Sequence, residues 1–273
     1  MTETWNLGVD VGSVSVSAVL VDGAGQPRTW FHRAHRGSPR EILAEILKEI
    51  GPVVVRGTGL TAGSPSLLES ARAVDAQVAL IAGARHLVTG ARSILFVGGE
   101  RFGLIRLSAD GAYLGTRANS SCAAGTGSFL DQQARRLGFA DVSELSRRAS
   151  ACVSPPPRIS TRCAVFARTD LAHAQQQGFS LEEISEGLCK GLAQNIADAI
   201  LAGERPEGPI LFAGGVSLNQ SVRKHLEQAM GLPLVTHELG PVLAAFGAAR
   251  EVMAQADPVG DPAPASLLPE TRA

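Results

Sequence analysis

A chain of 273 residues, 45% of them hydrophobic, can bury a sizeable core, so we expect one bilobal unit or two close-packed domains. Its formal net charge of -1 gives no bulk electrostatic reason to expect nucleic acid or an anionic membrane as a partner. The chain lacks an apolar run of roughly 18 to 20 residues and a signal-peptide pattern, so the sequence predicts a cytoplasmic protein that acts on small molecules.

Two stretches of the chain resemble each other, residues 7–25 and residues 94–112. Each runs from an apolar strand through a glycine turn into a second strand and then an Asp-Gly turn, a dipeptide that favours tight hairpins. The repetition predicts a duplicated, two-lobed architecture.

The remaining elements alternate between helices and strands, which indicates an α/β protein. Apolar spacing predicts helices over 39–50, 181–202, about 219–230 and 240–254. It also predicts a strand that starts with residues 52–55 and ends in Gly57-Thr58-Gly59, and another over 210–213. We expect a first nucleotide-binding lobe at 1–88 joined by a helix at 240–255, a second lobe at 89–239 that carries two cysteines discussed below, and a Pro-rich tail at 257–273. That tail is predicted to be disordered, a linker, or the cut end of a larger chain.

Three strand ends run into glycines, a pattern that lets backbone N–H groups approach a phosphate. In the first, Asp10 can hold a hydrated magnesium ion while Gly12 and Ser13 offer donors to a phosphate. The alternative is that the glycines only close hairpins, and the chain has no GxxxxGK[ST] loop. The other two junctions contain Gly98, Gly99, Gly214 and Gly215.

Cys122 and Cys163 each precede an apolar helical pattern, and at Cys122 the residues Ser128 and Asp131 resemble a capping box. A helix N-terminus favours a thiolate and the negative charge of a thiolate-bound cluster. Because a four-iron cluster takes four thiolates, two such cysteines per chain predict a two-fold dimer with the cluster on its axis.

Other interpretations of the four cysteines remain open from spacing alone. None stands in a CxxC pair, and a reducing setting favours core, metal-ligand or redox roles over disulfides. Cys189 is predicted to be a buried, inert thiol, and the role of Cys152 is ambiguous. The four could converge on one cluster within a single chain, or they could be unrelated.

Together these segments resemble the activator ATPases of 2-hydroxyacyl-CoA dehydratases and the related ATPase subunits of benzoyl-CoA reductase. The resemblance extends to about residue 250, and its most specific segment is Cys122-Ala-Ala-Gly-Thr-Gly-x-Phe-Leu-Asp. It implies the duplicated ribonuclease H-like fold of the acetate kinase, sugar kinase, Hsp70 and actin superfamily.

The resemblance further implies a homodimer with one [4Fe-4S] cluster bridging the subunits, held by Cys122 and Cys163 of each chain. ATP hydrolysis would drive a low-potential electron, received from ferredoxin or flavodoxin, into an acyl-CoA dehydratase or reductase component. The implied catalytic residues are Asp10 and Glu100. The implied sites for ATP or ADP and Mg²⁺ are Asp10, Gly12, Ser13, Gly98, Gly99, Gly125, Thr126, Gly127, Gly214, Gly215, Val216 and Asn219.

The second glycine loop departs from the family's pattern. The family usually has Asp-hydrophobic-Gly-Gly-x-Asp there, whereas this chain has Phe96 and Arg101 in place of the two carboxylates, with Glu100 as an imperfect substitute. The first loop commonly continues to a lysine, where this chain has Ser17. Because such carboxylates hold magnesium and orient the attacking water, an alternative is a subunit that binds nucleotide and hydrolyses it poorly. A small-molecule kinase of the same superfamily is a third hypothesis, disfavoured by the cysteine segment and the missing carboxylates.

Overall fold

The structure is a computed structural model, and it describes residues 4–68, 70–119, 126–161, 164–201 and 205–255. The chain divides into two compact units. The first comprises the described residues up to Thr89 and from His237 onward, and the second is Gly90–Thr236.

The first unit is built on a five-stranded mixed sheet with the order β3-β2-β1-β4-β5. β1 pairs antiparallel with β2 and parallel with β4, and β2 pairs antiparallel with β3. The elements are β1 (Thr4–Val11), β2 (Ser15–Val21), β3 (Pro27–Ala34), α1 (Pro39–Ile50), β4 (Val54–Thr61), β5 (Arg72–Val74), α2 (Ala76–Leu87) and α8 (Leu243–Ala254).

The second unit repeats this plan with the strand order β10-β9-β6-β7-β8. Taken from its central strand, β6 matches β1, β7 matches β2, β8 matches β3, β9 matches β4 and β10 matches β5, with the same parallel and antiparallel pairings. The elements are β6 (Ser93–Val97), β7 (Phe102–Leu107), β8 (Tyr113–Ala118), α3 (Gly127–Arg136), α4 (Val142–Ala151), α5 (Ala164–Gln176), α6 (Leu181–Leu201), β9 (Ile210–Ala213), α7 (Gln220–Met230) and β10 (Leu234–Thr236). The duplication predicted from the two hairpins therefore extends to the whole sheet of each unit.

Each core forms where a long apolar helix covers its sheet. In the first unit, α8 lies against glycines of β1 and β4: a Cβ added to Gly8 would stand 1.9 Å from the Ala245 carbonyl oxygen. In the second unit, α6 is buried on every side over residues 184–189, and Ile184, Leu188 and Leu192 are fully inaccessible to solvent. Both sheets are thereby held rigid up to the strand ends that carry the glycine loops.

Several predicted elements are confirmed and others are corrected. The helix over 39–50 and the strand over 210–213 have the predicted bounds, and α7 begins one residue after the predicted start. The strand predicted to start at Pro52 and end in Gly57-Thr58-Gly59 is shifted by two residues, because β4 begins at Val54 and continues through these glycines to Thr61, paired with β1. Within the described part of the chain, no helix combines the length and apolarity needed to cross a bilayer.

Candidate nucleotide-binding site

In the first unit, the glycine loop is a tight hairpin between β1 and β2. The backbone N–H and carbonyl groups of Gly12 both have hydrogen-bond partners within the unit. The Gly12 N–H donates to the Ser15 carbonyl at 2.9 Å, and His35 Nε2 lies 3.2 Å from the Gly12 carbonyl oxygen. Gly12 and Ser13 are exposed at the tip. Ser13 therefore remains the better placed of the two predicted donors for an incoming anion.

Asp10 lies at the carboxyl end of β1, where β4 supplies its hydrogen-bond partner. The Thr61 hydroxyl donates to Asp10 Oδ1, and Thr61 Oγ1 is also 2.9 Å from Ser64 Oγ. Ser64 Oγ in turn accepts the Val11 N–H at 2.9 Å. Two hydroxyl side chains thus fix the carboxylate and the strand end that leads into the hairpin.

Electrostatics make Asp10 suitable for a cation. Burial raises the pKa of Asp10, and the hydrogen bond from Thr61 only partly opposes that shift. A desolvated carboxylate is destabilised in its charged form and gains most from a nearby positive charge. The residues present therefore fit a hydrated magnesium ion bound through Asp10.

A polar row continues from Asp10 across the sheet. Asp10 is the cross-strand partner of Ser17, and Ser17 is the cross-strand partner of His32, so the three side chains share one face. Ser17 Oγ lies 2.9 Å from His32 Nδ1. His32 is exposed over part of its surface, yet desolvation lowers its pKa and favours the neutral imidazole.

The corresponding hairpin of the second unit has the same backbone and different side chains. The Gly98 N–H donates to the Arg101 carbonyl at 2.7 Å, as Gly12 does to Ser15. Phe96 pairs with Gly103, the same register as Asp10 and Ser17 in the first unit. The Phe96 ring covers Gly103 so closely that an added Cβ would stand 2.7 Å from Cζ.

Glycines bring three segments of the second unit together around this hairpin. The Gly127 N–H donates to the Gly98 carbonyl at 2.9 Å, and the Ser128 N–H donates to the Gly99 carbonyl at 2.8 Å. Gly214, at φ +85, would place a Cβ 2.3 Å from the Val97 carbonyl oxygen. We call this convergence of the β6–β7 hairpin, the start of α3 and the end of β9 the glycine cluster.

Comparison with known proteins identifies the family to which these features belong. The profile described as the BadF/BadG/BcrA/BcrD ATPase family matches residues 7–251. The chain belongs to this family. An uncharacterized Escherichia coli protein, YjiL, is 32% identical over 90% of this chain and 95% of its own length. A benzoyl-CoA reductase subunit from Thauera aromatica is 28% identical over 90% of this chain and 92% of its own length.

Solved structures confirm the predicted fold class. The activator of 2-hydroxyisocaproyl-CoA dehydratase from Clostridium difficile, solved with bound ADPNP, superposes with a TM-score of 0.83 at 20% identity, covering 94% of this chain and 100% of that one. The chain therefore has the fold of this activator, with the two matching five-stranded sheets described above. At 20% sequence identity, this structural similarity shows the fold alone.

The contacts correct one prediction at α3 and show how Asn219 at the start of α7 is bonded. The capping box at Ser128 and Asp131 is wrong: α3 begins at Gly127, and its first N–H groups are capped by the carbonyls of the glycine cluster. Asn219 caps α7, accepting the Val222 N–H at 3.0 Å, and is 5% exposed. Its side chain is thus engaged in the fold. The nearby Val216 and Thr126 are also buried, while Glu100 is exposed at the hairpin tip.

The predicted cluster ligands Cys122 and Cys163 lie outside the described residues, as does Gly125. α5 begins at Ala164, directly after Cys163, whereas α3 begins five residues after Cys122. Cys189 is buried, as predicted, and burial raises the pKa of its thiol to about 12. Within the described part of the chain, no group of three or more His, Cys, Asp or Glu side chains is arranged to hold a metal ion.

Sequence reasoning missed the side chains that surround Asp10. Thr61 and Ser64 come from β4 and the turn after it, and His32 comes from β3, so parallel or cross-strand pairing is needed to find them. The available signal was the Thr-x-x-Ser pattern immediately after a glycine-containing strand. Such hydroxyls commonly follow strands that end at a ligand site, but the pattern alone is weak.

Proposed function

We propose that this chain is an ATP-dependent electron-transfer activator that works as a homodimer with one [4Fe-4S] cluster between its subunits. It passes a low-potential electron to a 2-hydroxyacyl-CoA dehydratase or benzoyl-CoA reductase-like partner, and ATP hydrolysis drives the transfer. The observation that carries this proposal is the family match over residues 7–251, together with relatives that include a component of benzoyl-CoA reductase.

In this proposal each unit, taken by itself, has its own candidate groups for binding a nucleotide. Asp10 holds a hydrated Mg²⁺ ion, positioned by the Thr61 hydroxyl. In the first unit Ser13 is the candidate donor to a phosphate, and in the second unit the candidates are the backbone of the β6–β7 hairpin, Gly214 and Gly215. A magnesium ion held by Asp10 would supply positive charge beside the phosphates and an ordered water, and Glu100 is the acidic side chain of the second hairpin.

Cys122 and Cys163 are the proposed thiolate ligands. When bound, a [4Fe-4S] cluster supplies a one-electron centre whose potential depends on net charge, hydrogen bonds and solvent exposure. The chain's own contribution at Cys163 would be electrostatic: α5 begins at the next residue, and the N-terminal N–H groups of a helix favour a thiolate. The electron donor is ferredoxin or flavodoxin, and the protein acts in the cytoplasm.

Anaerobic purification with iron and acid-labile sulfide analysis tests the cluster. We expect about four irons per dimer in the wild type, and loss of the cluster in Cys122→Ser and in Cys163→Ser. Cys152→Ser is the matched control, because Cys152 is a partly exposed thiol that is not a proposed ligand and donates to the Ser154 carbonyl at 3.2 Å. A colourless wild-type protein at full iron supply would exclude the cluster, and a cluster retained in either ligand variant would exclude that ligand.

The second hairpin favours one alternative function, a nucleotide-binding subunit with little hydrolysis. Phe96 occupies the strand position that Asp10 has in the first unit, and its ring fills the space above Gly103. The second hairpin therefore has no carboxylate at the position equivalent to Asp10. Calorimetric ATP binding combined with single-turnover hydrolysis separates the two: tight binding with negligible turnover, even with the partner present, favours the alternative.

A further inference from the structure

One face of α6 is shaped to receive the segment that leads to Cys163. Gly187 and Gly191 are four residues apart on this helix and therefore lie on the same face. A Cβ on Gly187 would stand 2.5 Å from the Pro157 carbonyl oxygen, and one on Gly191 would stand 2.6 Å from the Ile159 carbonyl oxygen. Residues 157–161 therefore pack with their backbone directly on the helix backbone.

The same segment is tied to α5 on the far side of Cys163. The Ser160 N–H donates to Asp170 Oδ2 at 2.8 Å, and Asp170 lies in α5. Ile159 and Thr161 are 4% and 3% exposed. The segment before Cys163 is thus held by two helices: it packs on α6, and the Ser160–Asp170 hydrogen bond ties it to α5, which follows Cys163 in the chain.

Side chains on other faces of α6, in the same turns, form hydrogen bonds and ion pairs with the start of α7, which follows Gly214 and Gly215 in the chain. Asn219 Nδ2 donates to Cys189 Sγ at 3.5 Å, and Ser221 donates to Glu186. Glu186 also lies 3.2 Å from Lys224 Nζ and 2.8 Å from His225 Nε2, and it is 4% exposed. Residues 186–191 of α6 therefore contact the segment before Cys163 and the segment after the glycine cluster at once.

We propose that Gly187, Gly191 and Asp170 are positioning residues for the segment that carries Cys163, and that α6 transmits changes at Gly214 and Gly215 to it. This inference rests on the proposed function, because it assigns the nucleotide to the glycine cluster and a ligand role to Cys163. Close backbone contact leaves no flexible side chain to absorb a displacement of α6. A shift of the Gly214 segment, carried by Asn219 and Ser221, thereby reaches residues 157–161.

Hydrogen exchange in the cluster-free protein tests the positioning part without any electron-transfer assay. We expect Asp170→Ala to raise exchange at the Ser160 amide at least about fivefold. Asp170→Asn keeps an acceptor oxygen and restores most of the protection. Gly191→Ala raises exchange across 157–161 by a similar factor, because its Cβ would force the segment off the helix. Lys190→Ala, an exposed position of the same helix, is the control and leaves exchange unchanged.

The transmission part is tested by adding Mg-ATP or Mg-ADP to the same samples, after calorimetry has measured nucleotide binding. We expect exchange over 157–161 to differ between the two nucleotides in the wild type, and this difference to disappear in Gly191→Ala and in Glu186→Gln while binding persists. Bound nucleotide with identical exchange in both states would overturn transmission. Unchanged exchange in both Asp170→Ala and a folded Gly191→Ala would overturn positioning. Absence of nucleotide binding would refute the proposed function, and the Asp170 and Gly191 comparisons would still decide the positioning role.

Discussion

The two hairpins of this protein share one backbone and differ in what their side chains can do. In the first unit the positions facing each other across the strands are Asp10 and Ser17, and in the second they are Phe96 and Gly103. The hairpin hydrogen bond is kept in both, from Gly12 to Ser15 and from Gly98 to Arg101. Duplication has thus preserved the backbone that can approach a phosphate, while the polar chemistry is concentrated in the first unit.

Because of this difference, the two units offer different kinds of group to a ligand. The first unit offers a desolvated carboxylate, hydroxyls and an imidazole, which suit a cation and a water molecule. The second unit offers glycines packed against carbonyl groups, a geometry that depends on close backbone approach. The first should therefore be sensitive to changes of charge, and the second to added volume.

The largest effect is expected from adding volume at the glycine cluster. Gly214→Ala should lower the free energy of unfolding by about 3 kcal/mol, because it combines a positive φ with a Cβ 2.3 Å from the Val97 carbonyl oxygen. Gly63→Ala in the first unit is the matched control: its φ is +96 but nothing lies near the added Cβ, so about 1 kcal/mol is expected. Urea unfolding measures both, and equal losses would show that the cluster is not closely packed in solution.

Removing the charge of Asp10 should separate function from stability. Asp10→Asn should weaken Mg²⁺-dependent ATP binding about 10- to 100-fold, as expected for a group that holds a metal through its water shell. Burial raises the pKa of Asp10, so its charged form destabilises the folded protein at neutral pH, and the neutral amide should raise the melting temperature.

Calorimetry with and without Mg²⁺, and thermal unfolding without nucleotide, measure the two effects of Asp10→Asn. Asp110→Asn, in the Asp-Gly turn of the second unit, is the control and should leave Mg²⁺-dependent binding unchanged. Unchanged binding in Asp10→Asn would remove this residue from the site.

What the sequence could predict here was local. The Asp-Gly turns and the alternation of apolar residues lie within each hairpin, so both hairpins and the duplication were predictable. Thr61 could not be placed beside Asp10, because 51 residues separate them and only the parallel pairing of β1 with β4 joins them. The start of α3 was mispredicted for a related reason: distant carbonyls of Gly98 and Gly99 cap it, which overrides the Ser128 and Asp131 pattern.

That Phe96 stands where the first hairpin has Asp10 was visible in the sequence, but its structural consequence was not. Phe96 in place of an acid predicts slower hydrolysis whatever its surroundings. That its ring covers Gly103 follows from the strand register, which the sequence does not state. The pairing shows that the substitution is accommodated by a neighbouring residue without a side chain.

Returning a carboxylate to the second hairpin should make the two units more alike. If hydrolysis is limited by its absence, Phe96→Asp should raise the turnover of ATP about tenfold, which corresponds to about 1.4 kcal/mol of barrier. It should also lower the free energy of unfolding by about 1–2 kcal/mol, because a partly buried ring is lost. Phe96→Leu controls for the packing loss and should leave turnover unchanged. An equal rise in both variants would attribute the gain to loosened packing.

The smallest effect concerns acid stability, for which each unit has a buried carboxylate anchor. Burial opposes ionisation of Glu186, but hydrogen bonds from Ser221 and His225 prevail and hold its pKa below the ordinary value of 4.5. The hydrogen bond from the Gln26 N–H and contact with Arg28 likewise lower the pKa of Asp22 in the first unit from 3.8. A lowered folded pKa gives stability that is present above the unfolded pKa and is lost as the pH falls through the folded value.

Replacing one anchor should therefore change the slope of the stability curve on its acid side and leave the slope above pH ~6 unaltered. Glu186→Gln should cost about 1 kcal/mol at neutral pH, because His225 and Lys224 lose a charged acceptor, and should flatten the loss of stability below the ordinary pKa of 4.5. Glu207→Gln, whose exposed side chain pairs with Arg92, is the control and should change neither. Urea unfolding from acid to neutral pH measures the curve. Parallel curves for Glu186→Gln and wild type would show that this carboxylate is not the group whose protonation weakens the second unit.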